Sequence, residues 1–214
     1  MGIGEYFARY YGTLFSALIE HCTMTLISLA IASAIALPVG YWLSRHRKIA
    51  VPVLSVLGIV YAIPSLGMFA LLIPLVGLGF KSAIIALVVY SQLILVRNVI
   101  AGFQSIDPSI IEAGAGMGYS KWQLFRKIEL PLATPVIIGG LRIASVSIIG
   151  IATIAAWINA GGLGVILFEG LYQSSVPKMV WGTMLVSLLA ILVNMALLKV
   201  EKISMLKARG EWRM

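Results

Sequence analysis

The twenty residues from Met24 to Leu43 carry no charged side chain, and neither do those from Val51 to Val76 or from Met179 to Leu198. A helix of about 20 apolar residues is what the hydrocarbon core of a bilayer requires. Two further runs, 83–103 and 132–157, are as apolar except for Arg97 and Arg142. With 60% hydrophobic and 11% charged residues and a mean hydropathy of +1.01, a chain of 214 residues exceeds what one soluble core can hide. The expectation is an all-α polytopic membrane protein, a single domain over 1–214. Its spans lie near 22–43, 51–76, 83–103, 132–157 and 179–198.

Prolines and charges mark where these spans depart from plain lipid-facing helices. Pro38 predicts a kink near the end of the first span, and Pro64 and Pro74 predict breaks in the second. Backbone groups freed by such breaks must be satisfied by protein or water, which favours a pathway or a helix contact over a lipid face. Arg97 is expected near a membrane surface. Arg142, deeper in its run, is either a functional residue or a structural tie to neighbouring segments. His21, at the start of the first span, reads as an interfacial histidine satisfied by water or as a pathway residue. Ile3, Phe7, Tyr10 or Tyr11, and Leu14 recur at helical spacing, which predicts an amphipathic helix lying in the interface. That segment lacks the basic start and apolar centre of a signal peptide. Cys22 is the single cysteine and the two histidines are not spaced as a metal pair, so no metal site is expected.

The net charge of +8 reflects orientation rather than nucleic acid. With the N-terminus outside, Arg45, Arg47, Lys48, Lys121, Arg126, Lys127 and the tail residues Lys199, Lys202, Lys207, Arg209 and Arg213 fall inside. Only Arg9, Lys81 and Lys178 fall outside, a bias of eleven to three. Cytoplasmic loops carry such an excess, so the C-terminus is expected in the cytoplasm.

Between the third and fourth spans the chain turns polar, basic and glycine-rich, over about 104–130. Asp107-Pro108 is a helix-start signal. Glu112 follows early, where negative charge complements the helix dipole. Ala113, Gly114, Ala115 and Gly116 leave little side-chain bulk, so another backbone can approach closely. Gly118 is placed to stop the helix in a left-handed conformation. No lysine followed by Ser or Thr stands at the spacing of a phosphate-binding loop, so these glycines do not bind nucleotide.

The spacing of Glu112-Ala113, Gly118, Ile128, Leu130 and Pro131 resembles the E-A-A-x-x-x-G-x9-I-x-L-P signature of permease subunits of bacterial ATP-binding-cassette importers. Gly114 departs from it, replacing the second alanine and loosening the helix by roughly 1 kcal/mol. Further segments look like the osmoprotectant branch of that family: Tyr61-Ala-Ile-Pro-Ser-Leu66, Val96-Arg-Asn98, Gly140-Leu-Arg142, and Ala155 through Gly164. The resemblance implies the type I importer permease fold. It implies that Glu112, Ala113, Gly114, Gly118, Leu130 and Pro131 contact a separate ATPase. It further implies two ATP-binding subunits, a second permease copy or a related permease, an extracytoplasmic substrate-binding protein, and surrounding membrane lipid. ATP and Mg would sit on the partner ATPase, with no cofactor on this chain, no enzymatic activity and no nucleic acid. The location would be the bacterial inner (cytoplasmic) membrane.

The implied solute is a quaternary amine such as glycine betaine, carnitine or choline. Alternatives are another small solute, such as an amino acid or an ergothioneine-like betaine, or a channel or sensor without an ATPase. The expected path is lined by Pro64, Ser65, Ser145, Ser147 and the turn containing Asn159, Gly161 and Gly162, with that turn as an outer gate. Trp157, Phe168 and Tyr172 read as interface-belt aromatics, so strong solute recognition falls to the binding protein.

Overall fold

The computed structural model describes residues 2–208 with 210 and 211; the tail cations Arg209 and Arg213 lie outside the described residues. Helix α1 covers Ile3–Arg45, α2 Arg47–Ala62, α3 Ser65–Val76, α4 Phe80–Gln104 and α5 Pro108–Gly116. A short α6, Lys121–Leu124, leads through a π-helical turn, Phe125–Glu129, into α7, Leu130–Ile154. A 3-10 turn, Ala155–Ile158, then α8, Leu163–Tyr172, and α9, Val176–Ala208, complete the described chain.

Among the described residues, four helical stretches are long and apolar enough to cross a membrane: α1, α4, the continuous run Lys121–Ile158, and α9. Helices α2 and α3 pass the same test only together and are bent by 95°. Contacts at the two ends of the bundle show how these segments run. At the basic end, Arg45 pairs with Glu129 and the Gln104 side chain donates to the Ser44 carbonyl at 3.4 Å. At the opposite end, the Gly79 N–H donates to the Ile158 carbonyl at 2.6 Å, and the Trp181 indole N–H donates to the Ile3 carbonyl at 2.9 Å. The bent pair therefore leaves the basic end at His46 and reaches the opposite end at Gly77.

The 95° bend has a local cause. Pro64 lacks an N–H and forces Ile63 into extended backbone, at φ −62° and ψ 128°. The Ile63 carbonyl, left without a helical donor, accepts the Tyr90 hydroxyl at 2.6 Å. The broken backbone is thus satisfied by protein.

The core lies among α1, α4 and α7. Ala32, Ala36, Ala83, Ala86, Ala144 and Ala152 are all fully buried, which lets these helices approach closely. At Gly164 a Cβ would stand 1.9 Å from the Thr153 carbonyl oxygen, so α8 can meet α7 only through glycine. Around this centre, α1 and α9 expose Leu26, Ile31, Ile35, Leu188, Leu192 and Met195, as lipid-facing helices do.

The amino-terminal segment does not stand apart as an interfacial helix. It continues into α1 with one non-helical residue, Tyr10, and packs Tyr6, Leu14 and Ala17 against Leu163, Ile166 and Trp181. Ile3, Phe7 and Tyr11 of the expected stripe are exposed, although Phe7 stacks on Trp181 at 4.6 Å.

Candidate coupling segment and solute path

The polar segment at the basic end folds as two short helices joined by a glycine turn. Asp107 accepts a hydrogen bond from the Ser109 backbone N–H at 2.9 Å, and Pro108 fills the first turn of α5. That bond stabilises the charged carboxylate and holds Asp107 below its ordinary range. At the far end of α5 the Met117 N–H donates to the Ala113 carbonyl at 3.0 Å. Gly118 follows at φ +83° with open space around it. A side chain there would strain the backbone without meeting any atom of this chain. Ser120 then caps α6 reciprocally: its N–H donates to Gln123 Oε1 at 2.8 Å, and the Gln123 N–H donates to Ser120 Oγ at 3.3 Å.

Glu112, Ala113, Ala115, Gly116, Met117 and Gly118 are exposed and form one surface, of small residues apart from Glu112 and Met117. Gly114 faces the other way. A Cβ there would stand 2.7 Å from both Leu124 and Ile128, so α5 rests on the α6 segment through this glycine. The glycine in place of the motif's alanine lets the terminal methyls of Leu124 and Ile128 close on α5. Leu130 and Pro131 sit at the start of α7 on its exposed side, immediately after the π-helical turn.

Two anchors fix the segment beneath the bundle. Glu129, buried at 4% exposure, accepts from the Arg45 guanidinium at the end of α1. This hydrogen bond, with the paired charge, raises the Arg45 pKa above its ordinary value. Arg45 also lies over the Tyr41 ring at 5.4 Å. The second anchor is aromatic. Phe125 meets Tyr41, Phe103 and Trp122 with ring centroids 4.8, 6.2 and 5.5 Å away. Neither anchor is visible in the motif, because its parts come from α1, α4 and the segment itself.

The expected path residues are not all brought together. Pro64 stands at the bend, with Ser65 opening α3. Ser145 is buried, donates to the Leu141 carbonyl at 2.7 Å, and lines a small cavity with Cys22, Thr25 and Leu189. Ser147 lies on the opposite side of α7, beside the exposed Ile143, Val146 and Gly150. The two serines therefore serve different faces.

The glycine turn is held rather than free. Gly162 donates its N–H to Glu20 Oε2 at 3.0 Å, and a Cβ on Gly161 would lie 2.6 Å from that oxygen. His21 is fully buried beneath the turn, with Nε2 3.1 Å from the Ile149 carbonyl oxygen, and not a water-satisfied surface residue. Arg142 is the structural tie: it donates to Glu201 Oε2 at 2.9 Å and to Asn194 Oδ1 at 3.2 Å, joining α7 to α9.

Trp157, Phe168 and Tyr172 form a cluster. The Trp157 ring stands nearly perpendicular to Phe168 at 5.5 Å and is inclined at 62° to Tyr172 at 5.9 Å. Phe168 and Tyr172 are four residues apart on α8, and the Asn159–Gly162 turn folds that face back onto Trp157. The sequence places the three rings near one surface but not in contact.

Comparisons with known proteins agree with this architecture. The chain is 37% identical over 195 residues to the Osmoprotectant import permease protein OsmW of Salmonella typhimurium, covering 89% of this chain and 91% of that protein. It is 38% identical over 182 residues to the Carnitine transport permease protein OpuCB of Listeria monocytogenes, covering 85% and 84% respectively. Among solved structures it resembles a chain of the inward-facing MetNI methionine ABC transporter, with a TM-score of 0.80 and 26% identity. That match covers 89% of this chain and 96% of the other. Residues 27–202 match the family described as binding-protein-dependent transport system inner membrane component, so the chain belongs to that family and is a multi-pass permease subunit of an ABC transporter.

Proposed function

We propose that this chain is the permease subunit of an importer for quaternary-amine compatible solutes such as glycine betaine, carnitine or choline. Two copies, or one copy and a related permease, enclose the path. Two separate ATPases bind ATP and Mg, and an extracytoplasmic binding protein delivers the solute. The basic end of the bundle faces the cytoplasm, with the N-terminus outside. The relatives named for osmoprotectant and carnitine transport support the solute class.

The observation that carries the mechanism is the exposed, small-residue surface of α5 at the basic end. Glu112, Ala113 and Gly118 present it outward to the ATPase, with the exposed Leu130 and Pro131 at the start of α7 adding to that contact, while Gly114 seats α5 on the segment behind it. ATP-driven approach of the two ATPases moves the two α5 helices together. Each α5 rests through Gly114 on Leu124 and Ile128, and that segment is fastened to α1 by the Arg45–Glu129 pair and runs on into α7, so that movement reorients the spans. The exposed face of α7 (Ile143, Val146, Ser147, Gly150) and the bend at Pro64 and Ser65 meet the second copy and line the path. Ser145 acts in helix packing within one copy.

The test is reconstitution with the cognate ATPase and binding protein in proteoliposomes. Uptake of labelled glycine betaine or choline should require ATP inside and persist when sodium and proton gradients are collapsed. Uptake of an amino acid in place of every quaternary amine would replace the solute class while leaving the permease role intact.

A further inference from the structure

We propose that Trp157, Phe168 and Tyr172 form a binding site for a small quaternary ammonium group on this chain itself, at the end of the bundle opposite the coupling segment. The inference rests on the proposed function for the identity of the ligand, and on the geometry for the site. Interface-belt aromatics need only lie at the membrane surface; here three rings from two elements also stand around one cavity. Its volume is about 260 Å³, and Ala156, Asn159, Val165 and Glu169 complete its wall. That is just under the roughly 300–1,000 Å³ of clefts for drug-sized ligands, and suits a small head group. Trp157 and Tyr172 are 51% and 68% exposed, so both rings present faces that this chain leaves open.

A cation over such faces is attracted by the ring quadrupoles, most strongly by Trp. The polar groups present favour a methylated ammonium over a primary one. A primary ammonium needs several hydrogen-bond acceptors; the side chains of the wall offer Asn159 and Glu169, and the carboxylate already accepts from Lys178 at 2.7 Å through Oε2. A quaternary head asks for none and takes only the negative potential. The site continues the exposed α7 face of Ile143, Val146 and Gly150, so a solute released there stands at the mouth of the proposed path. Three rings and a neutralised carboxylate give weak binding, as a site that must pass its ligand on requires.

The experiment uses the full chain in lipid nanodiscs without the binding protein, and tritiated choline as the probe. Saturable binding is expected, competed by tetramethylammonium and not by 3,3-dimethyl-1-butanol, the uncharged isostere of choline. Trp157→Leu and Tyr172→Leu should each weaken binding about tenfold, with Trp157→Phe retaining most of it. Lys178→Gln should tighten it by releasing Glu169. Because Trp157 and Tyr172 are half exposed, the leucine variants keep the bundle intact, which their melting temperatures check. Absence of saturable binding, equal competition by the isostere, or unchanged affinity in both leucine variants would overturn the site. Choline uptake by the complete transporter alongside any of those results would leave the proposed function standing. Choline binding here without quaternary-amine uptake by the complete transporter would sink only that function.

Discussion

Arg45 and Glu129, 84 residues apart in sequence, form an ion pair that fastens the end of the first span to the segment leading into the fourth. Glu129 is almost entirely enclosed, whereas nearly half of the Arg45 side chain meets solvent, at 5% and 45% side-chain exposure. Removing the arginine leaves a buried carboxylate unpaired. Arg45→Ala is expected to destabilise the protein by about 1–3 kcal/mol, below the cost of breaking a fully buried pair because the site is half open. It should also lower transport more than ATP hydrolysis. Arg45→Ala with Glu129→Gln should recover stability, read as melting temperature in detergent; failure of the double variant to recover any would show that the pair is not what holds the segment.

The exposed surface of α5 gives a second expectation. Glu112→Arg reverses charge on the exposed face, and Gly118→Trp places a large ring where this chain has open space and where the proposed docking puts the ATPase. Both variants should insert and fold, yet lose uptake and binding-protein-stimulated ATP hydrolysis by tenfold or more. Wild-type stimulation in both would place the ATPase contact elsewhere on the molecule.

Asp107 supplies a pH dependence with a definite sign. Its folded-state pKa lies below the ordinary value of about 3.9, so the cap contributes fully above that value and is lost only as pH falls through the lowered one. The Ser109 amide should stay protected from hydrogen exchange at pH 5 in the wild type. In Asp107→Ala, which removes the acceptor, the same amide should exchange faster while those of α4 are unchanged.

The bend at Pro64 should depend on Tyr90. Tyr90→Phe keeps the ring contact with Tyr61 at 5.9 Å and removes only the donor to the Ile63 carbonyl. The expected loss is about 1–3 kcal/mol, seen as a lower melting temperature. An unchanged melting temperature would mean that water or another donor serves that carbonyl equally well.

Topology is checked with an impermeant thiol reagent on intact cells in a Cys22→Ser background. A cysteine at Ser174, beside Gln173 at the end of α8, should react, and one at Ser120, the cap of α6, should not. The reverse pattern would invert the chain in the membrane.

Much of this architecture is legible in the sequence because its causes are local. A charge-free run from Met24 to Leu43 has few outcomes in a bilayer, and Asp107-Pro108 with Gly118 bounds a helix wherever it occurs. What the sequence conceals depends on which face meets which neighbour. In spans apolar on every side no periodicity marks an interior, so Ser145 and Ser147 read as equivalent although one is buried and the other borders an exposed face. Proline predicts that the second span breaks but neither the 95° angle nor that Tyr90 from another helix takes up the freed Ile63 carbonyl. Gly114 reads as a loosening of the motif until Leu124 and Ile128 are seen to close on it. The Trp157 cluster needs the whole glycine turn to fold before its rings meet.

The run from Lys121 to Ile158 is one helical body of 38 residues, carrying the segment beside α5 at one end and Trp157 at the other. At 1.5 Å per residue it is about 57 Å long, longer than the bilayer core is thick. Such a body behaves as a lever arm. A tilt of about 5° about one end sweeps the other through about 5 Å, close to a full helical turn. A displacement applied at the basic end therefore reaches the opposite end of the bundle through one continuous helical run, with no relay of separate contacts in between.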